Sequence, residues 1–175
     1  MVHIFPEAER RRRVLPRFVR TALRYAHSNG EAYTTDGVEG VALWLPPGRT
    51  KLSFSGMVRS VMILGPFITG LPAAMRFNGL MTTLERLHHE HMTQPHWYLM
   101  VLGVEPERQN QGVGTALVGP ILERADRDGL PCYLETMTES NVRFYGGRGF
   151  EVVVHDSLPK GGLEYWTMRR PPRTR

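Results

Sequence analysis

Gln109-Asn-Gln-Gly-Val-Gly-Thr115 is a short polar stretch with two glycines between apolar segments. Before it runs His96-Trp-Tyr-Leu-Met-Val-Leu-Gly-Val104; after it, Val113, Leu117, Ile121 and Ala125 recur four apart. The layout predicts strand, tight turn, helix. Glycines at 112 and 114 let the backbone approach a ligand without side-chain obstruction. The first turn of a helix presents N–H groups with no intrahelical partner, and the helix dipole adds to their attraction for an anion such as pyrophosphate. The seven residues read as a phosphate cradle.

Two common cradles are excluded by residues they lack. A P-loop needs a lysine that reaches the phosphates, and the chain has lysine only at 51 and 160. A dinucleotide fingerprint needs a third small residue for close helix–strand packing. Counting from Gly112, Leu117 holds that place. What is left is Gln109-x-x-Gly112-x-Gly114. Downstream, Asn141-Val-Arg-Phe-Tyr145 is followed by Gly149-Phe150.

In these two blocks, in this order, the chain resembles the GNAT family of acyl-CoA-dependent N-acetyltransferases. His96-Trp97-Tyr98-Leu99, Gly103-Val104-Glu105-Pro106, Leu134-Glu135-Thr136 and Trp166-Thr-Met168 are similar to the subgroup that includes puromycin N-acetyltransferase. The resemblance is strong from about residue 94 to 170 and loose before it. It implies acetyl-CoA as co-substrate and a mixed central sheet flanked by helices. The family's first strand and helix have no counterpart before Phe5-Pro6: either the fold lacks them or the true start lies upstream of Met1. Their absence would leave a strand of the early hairpin as an open sheet edge, a site for dimerisation.

The resemblance also assigns roles. The backbone of Gln109, Asn110, Gln111, Gly112, Val113, Gly114 and Thr115 would hold the CoA pyrophosphate. Leu102, Gly103 and Val104 would pair with the pantetheine amides, and Asn141 would contact the cofactor. Tyr145, four residues on and so on the same helix face, would protonate the departing sulfur. Gly103, inside a strand, suggests a bulge or a close backbone approach, and a bulge would free an N–H for the thioester carbonyl. Gly146-Gly147 should shorten the helix that carries Tyr145. For the base that takes the amine's proton, Glu135 at a strand end is the first candidate. His96 is the second, with its ordinary pKa near 6.5. An amine already neutral needs neither.

Composition bounds the alternatives. A chain of 175 residues, 41% hydrophobic and 22% charged, suits one globular domain, residues 1–175. Its single cysteine, Cys132, lies in an apolar run and reads as core. No charged-then-apolar signal pattern opens the chain, so the cytoplasm is the expected compartment. The apolar stretch from Val61 to Met75 is broken by two prolines and is too short for a bilayer span. The net charge of +5 is concentrated at the two ends, where Arg10–Arg13, Arg17, Arg20, Arg24, Arg169, Arg170, Arg173 and Arg175 supply half of the 22 basic residues. With no interleaved aromatics, these read as a solvated helix face and tail rather than a nucleic-acid footprint. His88, His89, His91 and His96 crowd together, but Thr93 stands where a metalloprotease helix needs its second histidine, so no metal is expected.

Along the chain, a helix is expected after Pro6 to Asn29-Gly30. A hairpin follows, Glu31–Thr35 with Val38–Leu45, turning at Asp36-Gly37. Helical pieces between 57 and 71 are cut by Pro66 and Pro72, and a helix runs from Ala73 to His91. Strand to Val104, helix 112–128 bent at Pro120, strand Cys132–Thr136, helix from Asn141, and strands 150–155 and 163–169 complete an α/β layout. The expected function is acetyl transfer to an amine of a small molecule by direct attack. Alternatives are a peptide or protein acceptor, or an acyl-CoA-binding module without catalysis.

Overall fold

The computed structural model describes residues 8–50, 71–158 and 162–173. The helical pieces expected between 57 and 71 fall outside the described residues up to residue 70. Helix α1 (Ala8–Asn29) stops where predicted, with the Gly30 N–H on the Ala26 carbonyl at 2.7 Å. Strands β1 (Glu31–Thr34) and β2 (Gly40–Leu45) form the expected antiparallel hairpin. Its turn differs from the two-residue one expected at Asp36-Gly37. The loop is longer because the Thr35 hydroxyl accepts the Glu39 N–H at 2.9 Å and Val38 takes the left-handed conformation, φ +53°.

Helix α2 (Leu71–His91) starts two residues earlier than expected. Pro72 sits in its first turn, where the missing N–H has no helical partner to lose. Strand β3 (Trp97–Val104) leads through a 3₁₀ turn at Pro106–Arg108 into helix α3 (Val113–Asp128), which continues through Pro120. Strand β4 (Cys132–Thr136), helix α4 (Glu139–Gly146) and the hairpin of β5 (Glu151–Ser157) and β6 (Glu164–Arg170) complete the chain. The glycine pair does end α4, as expected: Gly146 is its last residue, and the Gly147 N–H closes on the Arg143 carbonyl at 3.1 Å.

The six strands form one mixed sheet in the order β1-β2-β3-β4-β6-β5. All neighbours are antiparallel except β3 and β4, at the centre. Among the described residues β1 pairs only with β2, which leaves it at one edge.

Alternation along the strands assigns the two faces. Trp44, Trp97, Leu99, Cys132, Leu134 and Met168 pack under Leu117, Val118, Ile121 and Ala125 of α3, with Tyr145 of α4. On the other face Leu43 meets Ala22 and Ala26 of α1, while Leu80, Leu84 and Leu87 of α2 pack on Leu163 and Tyr165. The sheet is therefore the middle of three layers, and each face carries its own polar groups.

An ion pair fixes the end of β6. Arg170, 3% exposed, holds both carboxylate oxygens of Asp126 at 2.7 Å, and its Nε donates to the Arg148 carbonyl at 3.0 Å. A bidentate guanidinium–carboxylate pair is among the stronger polar contacts. It ties the C-terminal strand to α3 and to the turn after α4.

Candidate active site

β3 and β4 part in the middle of the molecule. Their parallel pairing covers Trp97↔Cys132, Tyr98↔Tyr133 and Leu99↔Leu134 and then stops, although β3 continues to Val104 and β4 to Thr136. Beyond Leu99, β3 stays bonded to β2 on one side and leaves its other edge open. An open strand edge offers N–H and C=O groups to any extended, amide-bearing chain.

The sequence placed a bulge at Gly103; the structure places it three residues earlier. Trp44 pairs with Leu99 and Leu43 with Val101, so Met100 is the extra residue on β3. Gly103 pairs in register with Val41, and a Cβ there would meet nothing within 4 Å. The bulge resets the alternation. Trp97 and Leu99 face α3 before it, Leu102 and Val104 after it, while Met100 and Val101 both turn to the α1 face. Gly103 also turns to that face, into a groove with Leu23, Thr34 and Val41, so only its backbone can serve the cleft.

A cleft of about 300 Å³ lies along the open edge, lined by Leu102, Val104, Gln109, Asn110, Gly114, Ser140, Asn141, Phe144 and Tyr145. Seven of these nine were chosen from the sequence; Ser140 and Phe144 were not. Gly112 caps α3 in the left-handed conformation at φ +86°, which favours glycine. No side chain caps the helix and its first turn holds no acid, so the amides of Val113, Gly114 and Thr115 keep their pull on an anion. Gly114 has a packing reason beside the one expected. A Cβ there would meet the Phe144 ring at 3.1 Å, so this glycine makes room for α4. The Gln109 and Gln111 amides donate to the carbonyls of Val104, at 3.2 Å, and Glu107, at 2.7 Å. Both side chains thus hold the loop's shape, and its backbone faces outward.

Arg148 closes the far side of this turn. Its guanidinium lies 3.5 Å over the Phe144 ring and donates to the Thr115 hydroxyl and the Phe144 carbonyl. Asn141 Nδ2 donates to the Thr136 hydroxyl at 3.0 Å, which joins the start of α4 to the end of β4. Tyr145 is 7% exposed and reaches the cleft. Burial raises its phenol above the ordinary value of 10, so the group stays protonated and can donate. Its hydroxyl has no hydrogen bond among the described residues.

Glu135 occupies the opposite face of the sheet. It is the first β4 residue past the last β3 pair, so it stands where the strands part. The Tyr98 hydroxyl donates to its Oε2 at 2.8 Å, and Nδ1 of His88 lies 3.8 Å from Oε1. Burial pushes the Glu135 carboxyl up to about 8, against the lowering effect of Tyr98. Burial, then the neighbouring His96 and His89, depress His88 to about 3. At neutral pH both groups are therefore mostly uncharged, and the contact is not a salt bridge.

His96 is buried and bonded on both ring nitrogens, with Nδ1 at 2.7 Å from the Gln94 carbonyl and Nε2 at 2.7 Å from Nε2 of His88. His88 stacks on Tyr133, with ring centroids 4.4 Å apart. Sequence reasoning grouped these histidines but did not join His88 to Glu135. Its place on the last turn of α2, eight residues before His96, was the available signal. Among the described residues no cluster has the makings of a metal site, and no helix is long and apolar enough to cross a membrane.

Comparison with known proteins agrees with this geometry. The model of the Acetyltransferase (GNAT) family matches residues 78–150. An uncharacterized N-acetyltransferase of Schizosaccharomyces pombe is 28% identical over 131 residues, 72% of this chain and 53% of the relative. A crystal structure described as histone acetyltransferase HPA2 and related acetyltransferase, from Corynebacterium glutamicum, is 25% identical with a TM-score of 0.50, covering 81% of this chain and 63% of that one. Arylalkylamine N-acetyltransferase 2 from Aedes aegypti superimposes with a TM-score of 0.62 over 90% of this chain and 80% of that one; at 13% identity the likeness is of fold alone. Over residues 78–150 the chain matches the GNAT family of acetyltransferases, and its fold resembles that of a solved acetyltransferase. It spans about half the length of the curated relative.

Proposed function

We propose that the protein transfers an acetyl group from acetyl-CoA to the amine of a small molecule, by direct attack. One observation carries this reading: the open edge of β3, the uncapped start of α3 and the Tyr145 hydroxyl share a single cleft. The uncapped amides suit a pyrophosphate and the strand edge suits the pantetheine amides. The thioester end then lies where the strands part, between Tyr145 on one face and Glu135 on the other. Tyr145 would protonate the departing thiolate and Glu135 would take the proton of the attacking amine.

Direct attack is supported by the state of the only cysteine. Cys132 is fully buried beneath α3, and burial pushes its thiol up to about 12. Such a thiol is a poor nucleophile, and no acyl-enzyme is needed. A compact acceptor is favoured because α2 roofs the Glu135 face, with His88 stacked on Tyr133. An extended peptide would have to displace this helix.

The test is calorimetry with CoA and acetyl-CoA, followed by CoA release across a panel of small amines, puromycin included, and peptide N-termini. Binding in the micromolar range and release with a small amine are expected, and Tyr145→Phe should lower turnover with little change in CoA affinity. Absence of CoA binding by folded protein would end the reading. Release with peptides alone would move it to a peptide acceptor.

A further inference from the structure

We propose that His88 and His96 form a proton wire leading from Glu135 to the outer end of β3, with His96 as the site that receives the proton. The inference rests on the acetyl-transfer reading for the origin of that proton, but its geometry stands apart from it.

The hydrogen bonds fix the protonation pattern. A carbonyl only accepts, so Nδ1 of His96 must carry a hydrogen toward Gln94. In neutral His96 this leaves Nε2 with its lone pair. The 2.7 Å contact between the two Nε2 atoms then requires His88 to donate from Nε2. Nδ1 of His88 is consequently a lone pair, and it faces Oε1 of Glu135 across 3.8 Å. A cavity of about 20 Å³ adjoins both groups, bounded also by Thr50, Glu85, His89 and Tyr98. That is room for one water, enough to bridge a separation too long for a direct bond.

The step balances. The amine nitrogen bonds to the thioester carbonyl carbon, the C–S electron pair leaves on sulfur as the CoA thiolate, which Tyr145 protonates, and the amine's proton passes to ionised Glu135. Glu135 then passes a proton to Nδ1 of His88, while the hydrogen on Nε2 of His88 moves to Nε2 of His96. The carboxylate is restored, His88 has exchanged one neutral tautomer for the other, and His96 is an imidazolium backed by the Gln94 carbonyl. His88 need never hold the charge. This matches its setting: stacked on Tyr133, with the rings of His89, His96 and Tyr98 near it and only 13% of its side chain exposed.

The groups facing Glu135 are Tyr98 of β3, Tyr133 of β4, and His88, His89 and Glu85 of α2, with His96 just before β3. Among the described residues, no arginine or lysine faces it. A proton leaving the carboxylate therefore finds the histidine pair as its only basic neighbours among the described residues.

The experiment is NMR titration of wild-type protein labelled at histidine ring nitrogens and glutamate carboxyl carbons, repeated on His88→Gln. Gln keeps a donor toward His96 and cannot relay a proton. A shared midpoint for the Glu135 carboxyl and the His96 ring in wild type, separating in His88→Gln, is the expected result. Independent midpoints in wild type, or a shared midpoint that survives His88→Gln, would overturn the wire; the second outcome would mean coupling through charge alone. The wild-type titration decides even if the variant does not fold. Kinetically, His88→Gln should lower kcat roughly tenfold or more with the KM for acetyl-CoA unchanged. Brisk CoA release that His88→Gln leaves intact would retain acetyl transfer and discard the wire. A shared midpoint without turnover of any amine would retain the wire and discard acetyl transfer.

Discussion

Replacing Asp126 with Asn tests how far the fold depends on one pair joining its last strand to α3. The carboxylate holds the Arg170 guanidinium through two bonds of 2.7 Å and also accepts the Arg173 N–H at 2.8 Å. Arg170 is buried while the Asp126 side chain keeps a quarter of its exposure. Removing one partner of a fully buried pair costs about 3–5 kcal/mol. The residual exposure, and the one acceptor Asn retains, reduce this to about 2–3 kcal/mol. In a chain of this size that lowers Tm by about 4–10 °C. Urea unfolding gives the free energy directly, and its pH dependence gives the cause. The hydrogen bonds from Arg170 hold the Asp126 carboxyl below its ordinary value. A depressed folded pKa stabilises above the unfolded value, about 3.9, and that contribution is lost as pH falls through the folded value. The difference between wild type and Asp126→Asn should therefore be full at pH 6 and shrink below about pH 4. A difference under about 0.5 kcal/mol, or one that does not vary with pH, would refute the reasoning.

Three further outcomes follow from particular contacts. Gly114→Ala should weaken acetyl-CoA binding and cost about 1–3 kcal/mol of stability, read by calorimetry and urea unfolding, because the new methyl meets the Phe144 ring at 3.1 Å. Glu135→Gln should abolish the proposed base yet stabilise the fold. The carboxyl is raised to about 8 in the folded state, so wild-type stability falls as pH rises from about 4.3 toward that value, and the variant should lack this slope in denaturant titrations. Val38→Gly should raise stability by about 0.5–1 kcal/mol in urea, since a β-branched residue at φ +53° and 72% exposure carries strain without packing in return.

The glycine-bearing turn into α3 was legible because its logic is local. Gly112 needs its backbone conformation, the apolar residues from Val113 onward set the helix, and the run before it can only be a strand. Alternation and turn chemistry located the other elements for the same reason, β4 to the residue. What the sequence misplaced depends on partners far along the chain. The bulge went to Gly103, the weak strand former, whereas the register with β2 puts it at Met100. The packing of Phe144, thirty residues on, against Gly114 was not foreseen beside that glycine's reading as a ligand contact. Val38 is a different case: the Thr35 hydroxyl that caps the loop is only three residues away, but a threonine carries no mark that separates a loop cap from a strand residue.

The histidines show the same division with more consequence. Spacing on a helix was enough to set aside a metalloprotease pattern, since that requires two ligands one turn apart. It was silent on His88, because the group His88 faces belongs to β4, 47 residues later, and is brought near only by α2 lying across the sheet. The parting of β3 and β4 at Leu99 and Leu134 then gives this contact its meaning. A carboxyl anywhere else on that face would be an isolated buried acid, and burial alone would keep it neutral. At the parting it stands beside the place where the thioester arm would end, with a tyrosine donor that favours its ionised form and a histidine lone pair that favours its neutral one. Burial favours the neutral carboxyl and the Tyr98 bond favours the ionised one, and opposed influences of this kind suit a base that must both take a proton and give it up.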